Sequence, residues 1–110
     1  ADYEPIFDEL VAENLLNEAR FTEVYVRSRI NAGYGPLRIR ADLAERGVGG
    51  HLVADALDLG DDVWREHCLA AWQRRFGKQP TDRREQGQQM RFLANRGFSG
   101  DHIRAVVAHV

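Results

Sequence analysis

The sequence predicts an all-α fold made of tandem three-helix repeats that stack into a curved, elongated array. Glycines, prolines and capping residues recur at the positions where helices would begin and end. No stretch alternates apolar and polar residues for long enough to indicate a half-buried strand. An eight-residue segment, Leu43–Gly50, recurs fifty residues later as Leu93–Gly100, which indicates a repeated structural unit.

The helix boundaries at the start of the chain follow from capping chemistry. We expect a first helix over about residues 4–13, with Pro5 tolerated in its opening turn. Asn17 is the predicted N-cap of a second helix that continues to Ala32. Gly33 is placed to end that helix in a left-handed conformation.

Two shorter helices are predicted next. Pro36 lies where a first helical residue would be, and Gly47 closes the helix that it opens. Gly50 begins another helix, which we expect to end at about Asp58 or Leu59.

The second half of the chain repeats this plan with a longer middle helix. Either Asp61 or Asp62 is the predicted cap of a helix that runs to Phe76. Thr81 is the predicted cap of the next helix, which ends at Arg96. Ser99 is the predicted cap of the last one.

The two halves align position by position. An apolar stripe follows the repeated segment in both copies, as Val53, Ala56 and Leu57 and as Ile103, Val106 and Val107. Upstream, at an offset of 44, Val24, Tyr25, Ser28 and Ala32 align with Cys68, Leu69, Trp72 and Phe76. The alignment predicts three-helix repeats at residues 17–59 and 60–110, each too small to bury a large core without its neighbour.

Charge alternates along the chain. The net charge of the 110 residues is −2, but residues 1–19 carry −6, residues 20–46 carry +3, residues 47–66 carry −4 and residues 67–110 carry +5. Such blocks suggest that separate faces meet separate partners, and the net charge argues against a non-specific DNA coat. The single cysteine excludes an internal disulfide and favours the cytoplasm. No apolar stretch of the sequence is long enough to span a membrane.

The sequence shows no pattern typical of a catalytic, metal or cofactor site. The four histidines lack the i, i+4 spacing of a helical zinc site. Cys68 lies on an apolar stripe, which is typical of a buried hydrophobic residue rather than a nucleophile. The acidic residues around Asp61 lie at a helix start, where capping and the helix dipole favour them. We therefore expect a protein that is not an enzyme and that binds no cofactor.

A helix–turn–helix reader of DNA is also disfavoured. Residues 51–58, the last helix of the first repeat, include two aspartates and no Arg, Lys, Asn or Gln. Such a helix lacks the side chains that read base edges, and it repels phosphate. The first and second helices of each repeat carry basic bands, which suit a phosphate backbone or an acidic protein surface equally well.

Several short motifs follow one another along the chain: Arg20-Phe21, Arg27-Ser28-Arg29, Gly33-Tyr34-Gly35-Pro36, Ile39, Leu43, Arg46-Gly47, Phe92-Leu93 and Arg96-Gly97-Phe98-Ser99. In order and spacing they resemble the RecX family, regulators of the RecA recombinase. The resemblance implies three tandem three-helix repeats, with residues 1–16 holding the last helix of the first. It also implies binding in the groove of the RecA filament on single-stranded DNA. Inhibition of filament extension, ATP hydrolysis and strand exchange would follow.

The exposed basic band is the predicted partner surface, and its members are Arg27, Arg29, Tyr34, Arg38, Arg40, Arg74, Arg75, Lys78, Arg83 and Arg84. Tyr34 follows a glycine in a loop, so it either packs on its own repeat or anchors the partner. We expect a monomer that binds the RecA filament, with contact to single-stranded DNA left open. Two other functions stay open: a direct nucleic-acid-binding module and a purely structural scaffold.

Other motif residues have expected structural roles. Gly33 and Gly35 should form a turn, and Gly97 should stop a helix. Arg46 and Arg96 occupy last-turn positions that suit the helix dipole.

Overall fold

A computed structural model describes residues 18–110. Its helices are α1 (Glu18–Asn31), α2 (Pro36–Glu45), α3 (Gly50–Leu57), α4 (Asp61–Arg75), α5 (Arg83–Asn95) and α6 (Gly100–Val106). These residues form no strand, so the predicted all-α class is confirmed. The helix predicted over residues 4–13 lies outside the described range. Within that range no helix combines the length and apolar character needed to cross a bilayer.

The helices form a first unit, α1–α3, and a second unit, α4–α6. The described helices that pack most closely against each other belong to the same unit. The array is elongated, with extents of 50, 27 and 18 Å.

A single core runs through both units. Leu43 and Leu93, which occupy equivalent positions in the repeated segment, are both fully buried. The cluster extends from Phe21 in α1 to Val107 after α6. Units of this size need a common core, because neither unit alone encloses enough apolar surface to be stable.

The predicted helix stops are confirmed. Gly33, Gly47 and Gly97 have positive φ, between +78° and +99°, and each follows a helix. Gly77, which follows α4, also has a positive φ, of +66°. Phe98 packs back after one of these stops: its amide donates to the Leu93 carbonyl at 3.2 Å, and its side chain is buried.

Two predicted N-caps are wrong. Asp82, not Thr81, caps α5, and its carboxylate accepts from the Glu85 amide at 2.8 Å. Thr81 instead donates its amide and hydroxyl to the Glu85 carboxylate, and these hydrogen bonds lower the pKa of that carboxyl. Gly60 is the N-cap of α4, and the predicted caps, Asp61 and Asp62, are its first two residues. Their carboxylates interact favourably with the helix dipole instead of capping the helix.

The alignment of α1 with α4 at an offset of 44 is wrong by one residue. It would match fully buried Tyr25 with Leu69, which is 39% exposed. An offset of 43 instead matches two buried pairs, Phe21 with Trp64 and Tyr25 with Cys68. Since one residue turns an α-helix by about 100°, this difference decides which face meets the core.

Candidate partner-binding site at the junction of the two units

The two units meet backbone to backbone. The turn before α2 contacts the turn before α6, where the Gly35 amide donates to the Arg96 carbonyl at 2.7 Å and the Leu37 amide donates to the Gly97 carbonyl at 2.9 Å. A Cβ on Gly35 would lie 2.6 Å from the Gly97 carbonyl carbon. Gly35 has a φ of −98°, so the expectation that it serves as a turn former is wrong. It is needed for close approach.

Tyr34 lies among three arginines from both units. Its ring centroid is 4.3 Å from the guanidinium carbon of Arg29, 4.6 Å from that of Arg96 and 5.3 Å from that of Arg38. Distances of this kind are favourable cation–π contacts. Tyr34 is half-buried, so of the two predicted roles the structure shows packing, and this packing bridges the junction.

The alternation of arginines and aromatic rings continues into the second unit. The Arg96 guanidinium also lies 5.0 Å from the Phe92 ring centroid. Arg75 lies 5.6 Å from the Phe92 ring and 5.3 Å from the Phe76 ring, and the two phenylalanines meet edge to face at 5.4 Å. We call this set the arginine–aromatic cluster: Arg29, Tyr34, Arg38, Arg75, Phe76, Phe92 and Arg96.

A pocket of about 120 Å³ opens at the junction, beside this cluster. Its lining, which defines the junction pocket, is Ala32, Gly33, Ala71, Arg74, Arg75, Phe92 and Arg96. Two of its arginines are held by carbonyls at the end of α1: Arg74 donates to Asn31 at 3.0 Å, and Arg96 donates to Ala32 at 3.4 Å. The end of α1 therefore fixes these positive side chains.

The positive charge at the pocket is uncompensated within residues 18–110. No carboxylate in that range forms an ion pair with Arg74, Arg75 or Arg96. At the edge of the cluster, Arg38 does pair with Asp42, at 3.5 Å. An uncompensated group of arginines in a concave site attracts anions.

The first unit also contains a buried tyrosine, Tyr25, beside two arginines. The side chain of Tyr25 is fully buried, and its ring centroid lies 5.1 Å from the Arg46 guanidinium carbon and 5.9 Å from that of Arg29. Burial, reinforced by the Asp42 carboxylate, raises the pKa of the Tyr25 phenol. Tyr25 therefore stays neutral and serves as a rigid surface for the arginines.

The structure brings part of the predicted partner surface together. Arg29, Tyr34, Arg38, Arg74 and Arg75 all lie at the junction.

The remaining predicted residues lie outside the cluster. Arg27 lines a neighbouring groove that shares Ala32 with the junction pocket. The others are exposed and line neither cavity: Arg40, Lys78, Arg83 and Arg84.

Sequence reasoning missed Phe92 and Arg96 as members of the site. The last-turn position of Arg96 predicts an interaction with the helix dipole, and the structure adds contacts with Tyr34, Phe92 and Ala32. Arg96 belongs to the Arg96-Gly97-Phe98-Ser99 motif, but the motif does not indicate which ring the side chain contacts.

Comparison with known proteins gives consistent results across the chain. Residues 17–57 match the family model of the second three-helix domain of RecX, and residues 64–107 match that of the third. The regulatory protein RecX of Halorhodospira halophila is 43% identical over 105 residues, which cover 94% of this chain and 65% of the relative. That of Pseudomonas putida strain GB-1 is 46% identical over 101 residues, which cover 91% of this chain and 65% of the relative. The chain thus spans slightly less than two thirds of the length of these relatives.

Proposed function

The chain belongs to the RecX family, and from this premise we propose that it is a negative regulator of the RecA recombinase. It binds in the groove of the RecA filament on single-stranded DNA and inhibits filament extension, ATP hydrolysis and strand exchange. The relatives are named regulatory proteins, which supports a role in control. The proposal places the chain in the cytoplasm as a monomer, with three-helix repeats at residues 17–59 and 60–110 after a remnant at residues 1–16.

The observation that carries the proposal is the uncompensated arginine group at the junction. Arg74, Arg75 and Arg96 converge on one concave site, and no described carboxylate neutralises them. Such a site recognises an anionic surface without needing any reactive group. A regulator that acts by occupying its target needs such a binding site and needs no catalytic group.

The elongated shape supports binding to a filament. An array 50 Å long can contact more than one subunit of a polymer at once. Linked contacts of moderate strength then combine through their effective concentration. On this proposal Arg27, Arg40, Lys78, Arg83 and Arg84 extend the surface outward from the junction.

Inhibition of the RecA ATPase on single-stranded DNA tests the function. We expect the chain to lower the rate, and we expect a double variant, Arg27→Glu with Arg40→Glu, to lose this effect while keeping its helicity. Both arginines are exposed and form no ion pair with a described residue. The double variant Arg65→Glu with Arg104→Glu is the matched control, because it also reverses two exposed charges, and both lie outside the proposed surface. No inhibition by the unmodified chain would refute the function, and full inhibition by the double variant would refute this surface.

A second candidate function, a direct nucleic-acid-binding module, is favoured by the same arginines. Guanidinium groups beside aromatic rings also suit the phosphates and bases of a single strand. The net charge of −2 weighs against it, because attraction to the DNA backbone relies on an excess of positive charge.

A further inference from the structure

We propose that the junction pocket is a carboxylate-binding site, which receives one Asp or Glu side chain of the protein partner. The proposal rests on the proposed function in one respect, namely that the partner is a protein. The pocket would then provide the specific anchor within a wider basic surface.

The donor groups needed for a carboxylate are present. A guanidinium offers several N–H donors in a rigid fork that matches a carboxylate. Arg74 and Arg96 each use one terminal nitrogen on a carbonyl at the end of α1. Their remaining N–H groups, and those of Arg75, have no carboxylate partner among residues 18–110.

The site is also preorganised. Arg96 lies against the rings of Tyr34 and Phe92, and Arg75 lies against those of Phe76 and Phe92. Stacking restricts the rotamers of both arginines before any ligand arrives, so less entropy is lost on binding. Arg96 is also half-buried, so water screens its interaction with an anion less than it screens that of a fully exposed arginine.

Size favours a carboxylate over the backbone of a nucleic acid. The volume of the pocket is about 120 Å³, which suits one small anionic group rather than a run of phosphates.

The direct test uses the chain by itself with simple anions. Nitrogen-15 NMR follows the Nε–Hε signals of Arg74, Arg75 and Arg96 during titration with sodium acetate, sodium phosphate or sodium chloride at matched ionic strength. We expect saturable shifts with acetate. Shifts no larger than those caused by chloride would overturn the site, and a stronger response to phosphate would overturn its assignment to a carboxylate.

A second measurement connects the pocket to the partner. We expect Arg75→Gln to weaken binding to the RecA filament by about tenfold or more, and Arg75→Lys to recover part of the loss, since it keeps the charge without the fork. Arg104→Gln removes an equal charge outside the pocket and should bind normally. Equal affinities for Arg75→Gln and Arg104→Gln would refute the anchor. If the unmodified chain does not bind the filament, the proposed function fails, and the acetate titration still decides the pocket.

Discussion

Gly35 and Gly97 bring the backbones of the two units into direct contact. A Cβ added to Gly97 would lie 2.4 Å from the backbone nitrogen of Arg38, and one added to Gly35 would lie 2.6 Å from the Gly97 carbonyl. Tyr34 and Arg96, the immediate neighbours of these glycines, form the centre of the arginine–aromatic cluster. The geometry of the site therefore depends on the absence of two side chains.

Gly35→Ala should destabilise the protein, because the new methyl group overlaps backbone atoms that cannot move independently. We expect a loss of about 1–3 kcal/mol in the free energy of unfolding, measured by urea denaturation. Gly50→Ala is the control, since a Cβ there meets nothing within 4 Å and alanine suits the start of α3. Equal stability of the two variants would contradict the proposed close contact.

Tyr34→Ala should loosen the junction. It removes the ring that contacts Arg29, Arg38 and Arg96, and we expect a loss on the order of 2 kcal/mol from cation–π contacts and burial. Tyr34→Phe keeps the ring and should remain close to the unmodified protein in urea denaturation. A phenylalanine variant as unstable as the alanine variant would show that the hydroxyl, rather than the ring, is what matters.

Gln89→Ala should cost about 1–3 kcal/mol, because it leaves a buried donor without a partner. The Trp72 indole nitrogen donates to the Gln89 side-chain oxygen at 2.7 Å, and the Gln89 amide donates to the Lys78 carbonyl at 3.0 Å. Gln88→Ala, at the exposed neighbouring position, should leave the urea midpoint unchanged. The same urea midpoint for Gln89→Ala and Gln88→Ala would show that the Trp72–Gln89 hydrogen bond does not stabilise the protein.

The thiol of Cys68 should make stability depend on alkaline pH. Burial raises its pKa from 9.0 to about 12. Between pH 9 and about 12 the unfolded chain has lost this proton while the folded chain keeps it, so the free energy of unfolding falls as pH rises. Below pH 9 the thiol is protonated in both states, and this contribution is fully present.

Cys68→Ala isolates this effect, because it removes the thiol but leaves the other titrating groups in place. We expect the unmodified protein to lose more stability than the variant between pH 8 and pH 10.5 in urea denaturation. If the unmodified protein and Cys68→Ala lose the same amount of stability over this pH range, the thiol is solvated in the folded protein.

Local rules account for most of the fold. Gly33 and Gly97 act as helix stops, Ser99 caps α6 through a hydrogen bond from the His102 amide at 3.3 Å, and Cys68 is buried. Each of these follows from chemistry within a few residues along the chain. The cap of α5 differs by one residue because Asp82 and Thr81 are both good caps, and only the position of Glu85 distinguishes them.

The site was harder to predict because it is made between distant parts of the chain. Positive charge alone indicated Arg29 and Arg75, but nothing in the sequence places Gly35 against Gly97 or Arg96 over Tyr34. The correct match of α1 with α4 also required the packed structure. Offsets of 43 and 44 residues both align apolar residues of α1 with apolar residues of α4, but they place different faces of the helices against the core. The pocket arises from this packing.

Fluorescence anisotropy with labelled single-stranded DNA tests the central claim most directly. The chain is titrated into DNA alone and into DNA coated with RecA, each at a low and a high salt concentration. A regulator of the filament should bind the coated DNA and show no comparable affinity for bare DNA at either salt concentration. Equal affinity for bare DNA, falling steeply as salt rises, would contradict the account and identify a nucleic-acid-binding module instead.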